Sequence, residues 1–257
     1  MERYELLERI GVGSFGTVHR GRRRFTGQFC ALKLISKERK EEKELAALRS
    51  EVAILTRLSH PHVIRLLDYF ENENELVLVT ELACGELFEV LCSDGRLAPA
   101  AVASVARGLT SALAYLHEQH VMHRDLKPQN CLIAANGAIK LADFGFAREL
   151  QSHAAQLTSV RGTPLYMAPE LFQQAHYTAA ADVWSLGVLL FELAAGRPPF
   201  FADTLPELMQ AIVQDTPVPF PLDMQPQLAD FLALCLQRDP GQRAAWEALL
   251  QHPYLTG

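Results

Sequence analysis

The chain has 257 residues, 49% of them hydrophobic, which is ample for one large domain or for two lobes sharing an interface. Its 24 basic residues stand against 30 acidic ones, a net charge of −6, so there is no broad basic footprint for nucleic acid and no polybasic membrane anchor. Five cysteines, Cys30, Cys84, Cys92, Cys131 and Cys235, are scattered without a C-x-x-C pair, which argues against a disulfide framework or zinc site and for free thiols in a reducing, cytoplasmic setting. Met1-Glu2-Arg3-Tyr4 has no apolar signal core and no glycine at the second position. The most apolar run, Val183 to Gly196, is interrupted by Ser185 and Glu192 and is too short to span a bilayer, so it reads as a buried helix and no membrane insertion is expected.

Tyr4 to Ile10 and Thr17 to Gly21 read as short strands around Gly11-Val12-Gly13-Ser14-Phe15-Gly16. Glycines let the backbone turn tightly and approach a polyphosphate, and Val18 can cover one face of a purine. A G-x-G-x-x-G alone is often only a turn; here a strand follows it, which suits a flap over phosphates better than a dinucleotide fold. Arg20, Arg22, Arg23 and Arg24 lead into a hairpin tip, Phe25-Thr26-Gly27-Gln28, read as a solvated edge kept from aggregating by its charge. Phe29 to Ile35 is a third strand, whose alternation puts Ala31 and Lys33 on one face, suiting a base edge and phosphates. A lysine in an apolar strand is costly to bury unpaired, so an acidic partner is needed. The next helix, Lys40 to Leu58, with its stripe Leu45, Leu48, Val52 and Leu55, offers Glu44 and Glu51 on nearly the same face.

His60-Pro61-His62 is expected to end that helix. Val63 to Phe70 and Leu76 to Thr80 then complete a five-stranded antiparallel lobe, and Glu81-Leu82-Ala83-Cys84-Gly85 breaks the pattern as a hinge would. Backbone groups of Glu81 and Ala83 would be free there for an adenine edge, with Thr80 at the back of the pocket. Glu86 opens the following helix, a place where a carboxylate is favourable. From Pro99, where the missing donor costs nothing, an alanine-rich helix runs to about Gln119 with Ala112, Tyr115 and Leu116 on its buried side. It delivers the chain to His123-Arg124-Asp125-Leu126-Lys127-Pro128-Gln129-Asn130, and Asp143-Phe144-Gly145 follows a hairpin's length later. Asp125, Lys127, Asn130 and Asp143 together suit orienting a hydroxyl, neutralising phosphate and holding metal, the layout of phosphoryl transfer. A polar loop between buried strands would supply polar residues but no particular order of them.

These stretches, with Gly162-Thr163-Pro164-Leu165-Tyr166-Met167-Ala168-Pro169-Glu170, resemble a eukaryotic Ser/Thr protein kinase domain over essentially the whole chain. Gly85-Glu86-Leu87-Phe88, Asp143-Phe144-Gly145-Phe146-Ala147-Arg148 and the run from Gly162 to Glu170 are most similar to the Fused kinases. The fold implied is α+β and bilobal: a small five-stranded antiparallel N-lobe with one helix (1–80), a hinge (81–86) and a larger, mainly helical C-lobe (87–257). The cofactors implied are ATP and Mg²⁺. By resemblance Asp125 would orient the incoming hydroxyl and accept its proton, Lys127 would meet the γ-phosphate, and Asn130 and Asp143 would hold Mg²⁺. Lys33, fixed by Glu51 rather than Glu44, would hold the α- and β-phosphates. The nucleotide would lie between Ile10 and Val18 above and Leu132 below, with Ala31, Thr80, Glu81, Ala83 and Ala142 around the base and Glu86 at the ribose or at a basic substrate residue.

The resemblance further makes His123 and Phe144 packing residues against Leu55 and Leu66, pairs Glu170 with Arg243, and bonds Asp182 to the catalytic-loop backbone. Lys127 and Gly162-Thr163-Pro164 point to serine and threonine rather than tyrosine as acceptors. Ser159, with Thr158 next, is the candidate phosphosite in the segment Arg148 to Arg161, where a phosphate could pair with Arg124; the partners implied are protein substrates and an upstream kinase. Ala244-Ala245-Trp246-Glu247 departs from the pattern by lacking the Ser or Thr that caps the last helix in many kinases. Gln129 replaces a glutamate found in some basophilic kinases, while Glu86 and Glu192 remain. Fused kinases tend to be long, and the likeness alone brings in Hedgehog-type signalling, ciliary assembly or cell division, with cytoskeletal or ciliary association. A binding-only pseudokinase is disfavoured by Lys33, Asp125, Asn130 and Asp143, and a small-molecule phosphotransferase by Gly162 to Glu170 with Arg243. The oligomeric state is left open.

Overall fold

Alternation of apolar and polar residues builds the N-terminal layer. In the computed structural model, which describes residues 3–13, 16–38, 40–143, 164–173 and 178–257 and not the side chains of Ala47 and Glu51, five strands form one antiparallel sheet in the order β1-β2-β3-β5-β4. They are β1 (Tyr4–Gly13), β2 (Gly16–Arg23), β3 (Phe29–Ser36), β4 (Leu66–Glu71) and β5 (Glu75–Glu81), with helix α1 (Glu42–Leu55) between β3 and β4. A second, three-stranded sheet holds β6 (Gly85–Glu86), β7 (Cys131–Ile133) and β8 (Ile139–Leu141). The remainder is helical: α2 (Leu87–Asp94), α3 (Pro99–Glu118), α4 (Pro169–Phe172), α5 (Ala179–Ala195), α6 (Leu205–Val213), α7 (Pro226–Cys235), α8 (Trp246–Leu250) and α9 (Pro253–Thr256). This is the two-part α+β architecture that the resemblance implies. Among the described residues no helix is long and apolar enough to cross a membrane.

The period of two gives the large sheet two apolar faces. Cys30 and Leu32 of β3 meet Tyr4, Val77 and Val79 in a cluster of their own. Ile35, of opposite parity, joins Leu76 and Leu78 with Leu48 and Val52 of α1 in the main core, and Ala31 and Lys33 share its side of the strand. β1 and β2 run further into the glycine-rich stretch than expected, to a Gly13↔Gly16 pair. Gly16 is needed there because a Cβ would stand 1.8 Å from the carbonyl oxygen of Leu34, so β2 could not lie against β3. Arg20 and Arg22 pair with Glu8 and Glu5, consistent with a solvated edge, and Phe25 at the tip is exposed.

Two expectations about α1 and β4 are corrected by tertiary contacts. The helix ends at Leu55 rather than Leu58, and before Pro61 could act, because Thr56 turns its hydroxyl back onto Ala53 O at 2.8 Å. The next residues dock on α3: Ser59 N–H donates to the Tyr115 hydroxyl at 2.9 Å, and the His60 ring stacks on Tyr115 with centroids 5.0 Å apart. Val63 is not part of β4 either. It bridges Leu141 in parallel, while Ile64 N–H donates to Leu141 O at 2.9 Å and Leu141 N–H to His62 O at 2.8 Å. The edge of β8 thus supplies the partners that this backbone needs. At the other end of α1, Glu41 N–H donates to Glu44 Oε2 at 2.8 Å in a reciprocal capping box. Glu44 is therefore engaged at its own helix start.

α5 is buried nearly all round, as an almost continuously apolar helix inside a domain must be. It begins at Ala179, so Asp182 falls in its first turn. Gly187 lets α7 close in: a Cβ there would stand 2.8 Å from Cys235 Cβ. The cysteines are free, and burial pushes the thiols of Cys30, Cys131 and Cys235 up.

Glu170 of α4 meets Arg243, each carboxylate oxygen accepting from one guanidinium nitrogen at 2.7 Å. The same guanidinium donates to the carbonyls of Ala180, Gln237 and Arg238 at 2.9, 2.7 and 3.1 Å, so three separate turns of chain converge on it. Glu170→Ala leaves that buried charge without its counter-ion. The expected loss is about 3–5 kcal/mol, read as a lower urea midpoint at unchanged m-value; a change below about 1 kcal/mol would mean that the pair does no more than a surface one.

Candidate active site

Between His123 and Asn130 the only regular element is the short 3-10 turn Pro128–Asn130, so the shape of this loop must be imposed from outside. The fully buried carboxylate of Asp182 imposes it. Oδ2 accepts from His123 N–H at 3.0 Å and Oδ1 from Arg124 N–H at 3.1 Å, as the resemblance implies for Asp182. Arg124 is held at φ 68, a left-handed conformation that costs a non-glycine residue about 1–2 kcal/mol. A hydrogen bond to a charged group contributes about 1.5–3 kcal/mol, so the two bonds outweigh the strain. The His123 ring is wholly buried, with Nε2 3.0 Å from Ala142 O.

Asp125 follows directly. Lys127 Nζ donates to its Oδ2 at 2.8 Å, and Asn130 Nδ2 donates to the same oxygen at 3.0 Å and to the Asp125 carbonyl at 2.6 Å. Burial pushes the Asp125 carboxyl up, but the charge and hydrogen bond of Lys127, with the bond from Asn130, outweigh it and hold the group below the ordinary carboxylate value. With its amide nitrogen committed to Asp125, Asn130 has its side-chain oxygen to offer. Ala142 N–H donates to Asn130 O at 2.9 Å, which sets the residue before Asp143 against the loop. Asp143, at φ 53, keeps its carboxylate half exposed and accepts from Lys33 Nζ of β3. Asp125, Lys127 and Asn130 are thus bonded to one another and Lys33 to Asp143, with the Ala142 backbone tied to Asn130, whereas the Glu51 side chain lies outside the described ones. The Asp143 carboxylate and the Asn130 amide oxygen are hard donors of the kind Mg²⁺ takes, and the adjacent lysines suit phosphate.

Several residues expected beside a nucleotide are cross-strand neighbours. Val18 is opposite Lys33 across β2 and β3, Ala31 is opposite Thr80 across β3 and β5, and Leu132 of β7 is paired to Glu86 of β6. Ala142 is buried at the end of β8, Ile10 sits half exposed at an irregularity of β1, and Val12 is more exposed still. Gly11, Gly13 and Gly16 belong to the β1–β2 hairpin, while Ser14 and Phe15 lie outside the described residues, as do Phe144, Gly145, Arg148, Ser152, Thr158, Ser159, Gly162 and Thr163. Among the described residues the Ala83 backbone makes no hydrogen bond, as expected of a hinge.

Glu81 departs from expectation. Its N–H is not free but donates to Arg65 O at 3.0 Å, because the irregular start of β4 brings Arg65 alongside. Its side chain has a structural role as well: Oε1 accepts from Lys140 Nζ at 2.8 Å and from Arg65 N–H at 2.9 Å, tying the end of β5 to β8. Nothing local could have signalled this pairing of residues far apart in sequence. Glu86 caps α2 through a box with Glu89, whose Oε2 accepts Glu86 N–H at 3.2 Å. Partial desolvation first, then the charges of Glu89 and Asp143, push the Glu86 carboxyl up. Glu192 takes the Tyr166 hydroxyl, and burial raises its pKa against the lowering effect of that bond.

A family model described as "Protein kinase domain" matches residues 4–255. "Serine/threonine-protein kinase 36" of Pongo abelii is 48% identical over 257 residues, 100% of this chain and 20% of that protein. "Serine/threonine-protein kinase TIO" of Arabidopsis thaliana is 46% identical over 255 residues, 99% of this chain and 19% of that one. "Serine/threonine-protein kinase fused" of Drosophila melanogaster is 42% identical over 257 residues, 100% and 32% respectively. The chain therefore spans about a fifth to a third of the length of these relatives.

Proposed function

The chain belongs to the protein kinase domain family, and from that premise we propose that it is a Ser/Thr protein kinase that moves the γ-phosphate of ATP to serine and threonine hydroxyls of proteins. Residues 1–257 form one catalytic domain in this reading, with N-lobe 1–80, hinge 81–86 and C-lobe 87–257. The observation that supports it is that Lys33 of β3 pairs with Asp143, just past β8, while Lys127 and Asn130 bond Asp125 in a loop to which the Ala142 backbone is tied. Serine and threonine as acceptors are supported by relatives named serine/threonine-protein kinases at 42–48% identity.

ATP supplies the transferable phosphoryl group, and Mg²⁺ neutralises its charge. Asn130 and Asp143 would hold the ion. Asp125, kept ionised by Lys127 and Asn130, accepts the hydroxyl proton and aligns the oxygen. Lys127 meets the γ-phosphate, and Lys33, braced by Glu51, holds the α- and β-phosphates. Charge in the transition state spreads over the phosphoryl oxygens, so fixed cations and alignment are what such a site must provide. Ile10, Val18, Ala31, Thr80, Glu81, Ala83, Leu132 and Ala142 enclose the base, Gly11 to Gly16 covers the phosphates, and Glu86 reaches the ribose or a basic substrate residue. By likeness to Fused kinases we further assign a cytoplasmic setting with cytoskeletal or ciliary association, a signalling role, and activation by an upstream kinase at Ser159, with Thr158 next.

Transfer of radiolabelled phosphate from ATP to a generic protein and a peptide library should fall by about 10²–10³ in Asp143→Asn; equal signal from both proteins would exclude the mechanism. The pH profile gives a second test. Lys127 holds the Asp125 carboxyl down against burial, so Lys127→Met lets that pKa rise. More of Asp125 is then protonated at a given acid pH, and the acid limb of kcat/KM moves to higher pH while the basic limb stays. An acid limb that does not move identifies some other group as the one titrating. Finally, Ser159→Ala and Thr158→Ala, alone and together, should lower kcat/KM of fully phosphorylated protein severalfold. Unchanged values would remove both phosphosites.

A further inference from the structure

Trp246, His117 and Asp182 form one hydrogen-bonded line from the start of α8, through the C-terminal end of α3, to the first turn of α5. Trp246 Nε1 donates to His117 Nδ1 at 2.6 Å, and His117 Nε2 lies 3.2 Å from Asp182 Oδ2. The same carboxylate holds the N–H groups of His123 and Arg124. The indole and imidazole meet edge-on, with centroids 5.2 Å apart at 85°, and both side chains are largely buried. An indole N–H can only donate. Nδ1 of His117 is therefore the unprotonated nitrogen, and the ring carries its proton on Nε2, aimed at the carboxylate.

We propose that Trp246 is a positioning residue of the phosphoryl-transfer site. By fixing the tautomer and orientation of His117 it fixes the Asp182 carboxylate, and through Asp182 the backbone immediately before Asp125. In the opposite tautomer a ring lone pair would face a carboxylate oxygen at 3.2 Å, two acceptors in repulsion, and Asp182 would turn away from the loop. Arg124 would then keep its left-handed backbone without the bond that offsets it. The departure at Ala244-Ala245-Trp246 fits this arrangement. Ala245 stands at the N-cap of α8 with no side-chain cap, and the start of that helix is fastened instead by the indole bond of its first residue.

The inference rests on the proposed function for its kinetic part but not for its spectroscopic part. In the full 257-residue chain with ¹⁵N-labelled histidine, long-range ¹H–¹⁵N spectra at neutral pH should show His117 as the neutral Nε2–H tautomer. Trp246→Phe, which keeps a ring but has no N–H, should lose that single tautomer, with kcat lower by about tenfold and KM for ATP unchanged. His117→Gln can accept from Trp246 and donate to Asp182 in the same sense, so it should retain more of kcat than His117→Leu; this pair decides the matter if Trp246→Phe does not fold. An Nδ1–H tautomer in the unsubstituted chain overturns the inference, as does a Trp246→Phe protein with unaltered tautomer and kcat, or equal losses in the two His117 variants. The expected spectrum from a chain that transfers no phosphate would refute the proposed function and support the hydrogen-bonded line.

Discussion

A buried carboxylate holds the active-site loop in place. Asp182 has no exposed surface, and burying a carboxylate costs several kcal/mol unless donors surround it. Here backbone N–H groups are among those donors, so the requirement to satisfy one buried charge becomes a constraint on the path of the chain. Arg124 adopts a conformation that its own side chain disfavours, and Asp125 inherits its direction from that turn. The loop needs no regular structure because its geometry is borrowed from α5, the most thoroughly buried helix described.

The same logic joins the two layers. Lys33 rides on a sheet that owes its stability to alternating side chains, while Asp143 lies just past β8 in the other layer, so their ion pair has meaning only if the layers keep a fixed relation. Two fastenings set it. The backbone from His62 to Ile64 adds to the edge of β8, and the Glu81 carboxylate reaches from the end of β5 to Lys140 on the same strand. The pairing of the acid, lysine and amide within the loop is, by contrast, short-range: Asp125, Lys127 and Asn130 lie within six positions, and the 3-10 turn Pro128–Asn130 follows Lys127.

Much of this was legible in the order of residues, and the exceptions share a cause. Strand period, the proline at the start of α3 and the apolar run of α5 gave their elements directly, since each depends on neighbours a few positions away. The end of α1 and the start of β4 depart from the local pattern because Tyr115 and Leu141, distant in sequence, take up the backbone of Ser59 to Ile64. Charged side chains were the least legible. Glu44 and Glu81 carry no local sign of their partners, yet the first caps α1 and the second spans the layers; Glu86 caps α2, as its place at a helix start suggests, and Glu192, within a run that reads as buried, takes a tyrosine hydroxyl.

The sequence by itself determined the chemical inventory: a glycine-rich hairpin, a lysine in the third strand, and an acid, lysine, amide and second acid in fixed order, all carried by short spacings. Only the tertiary structure decided which partner each charged or polar group takes, which face of Asp182 meets the loop, and where helices stop. The physical reason is that spacing constrains residues within a turn or two, whereas the pairing of a buried charge depends on whatever the packed chain brings within about 3 Å of it.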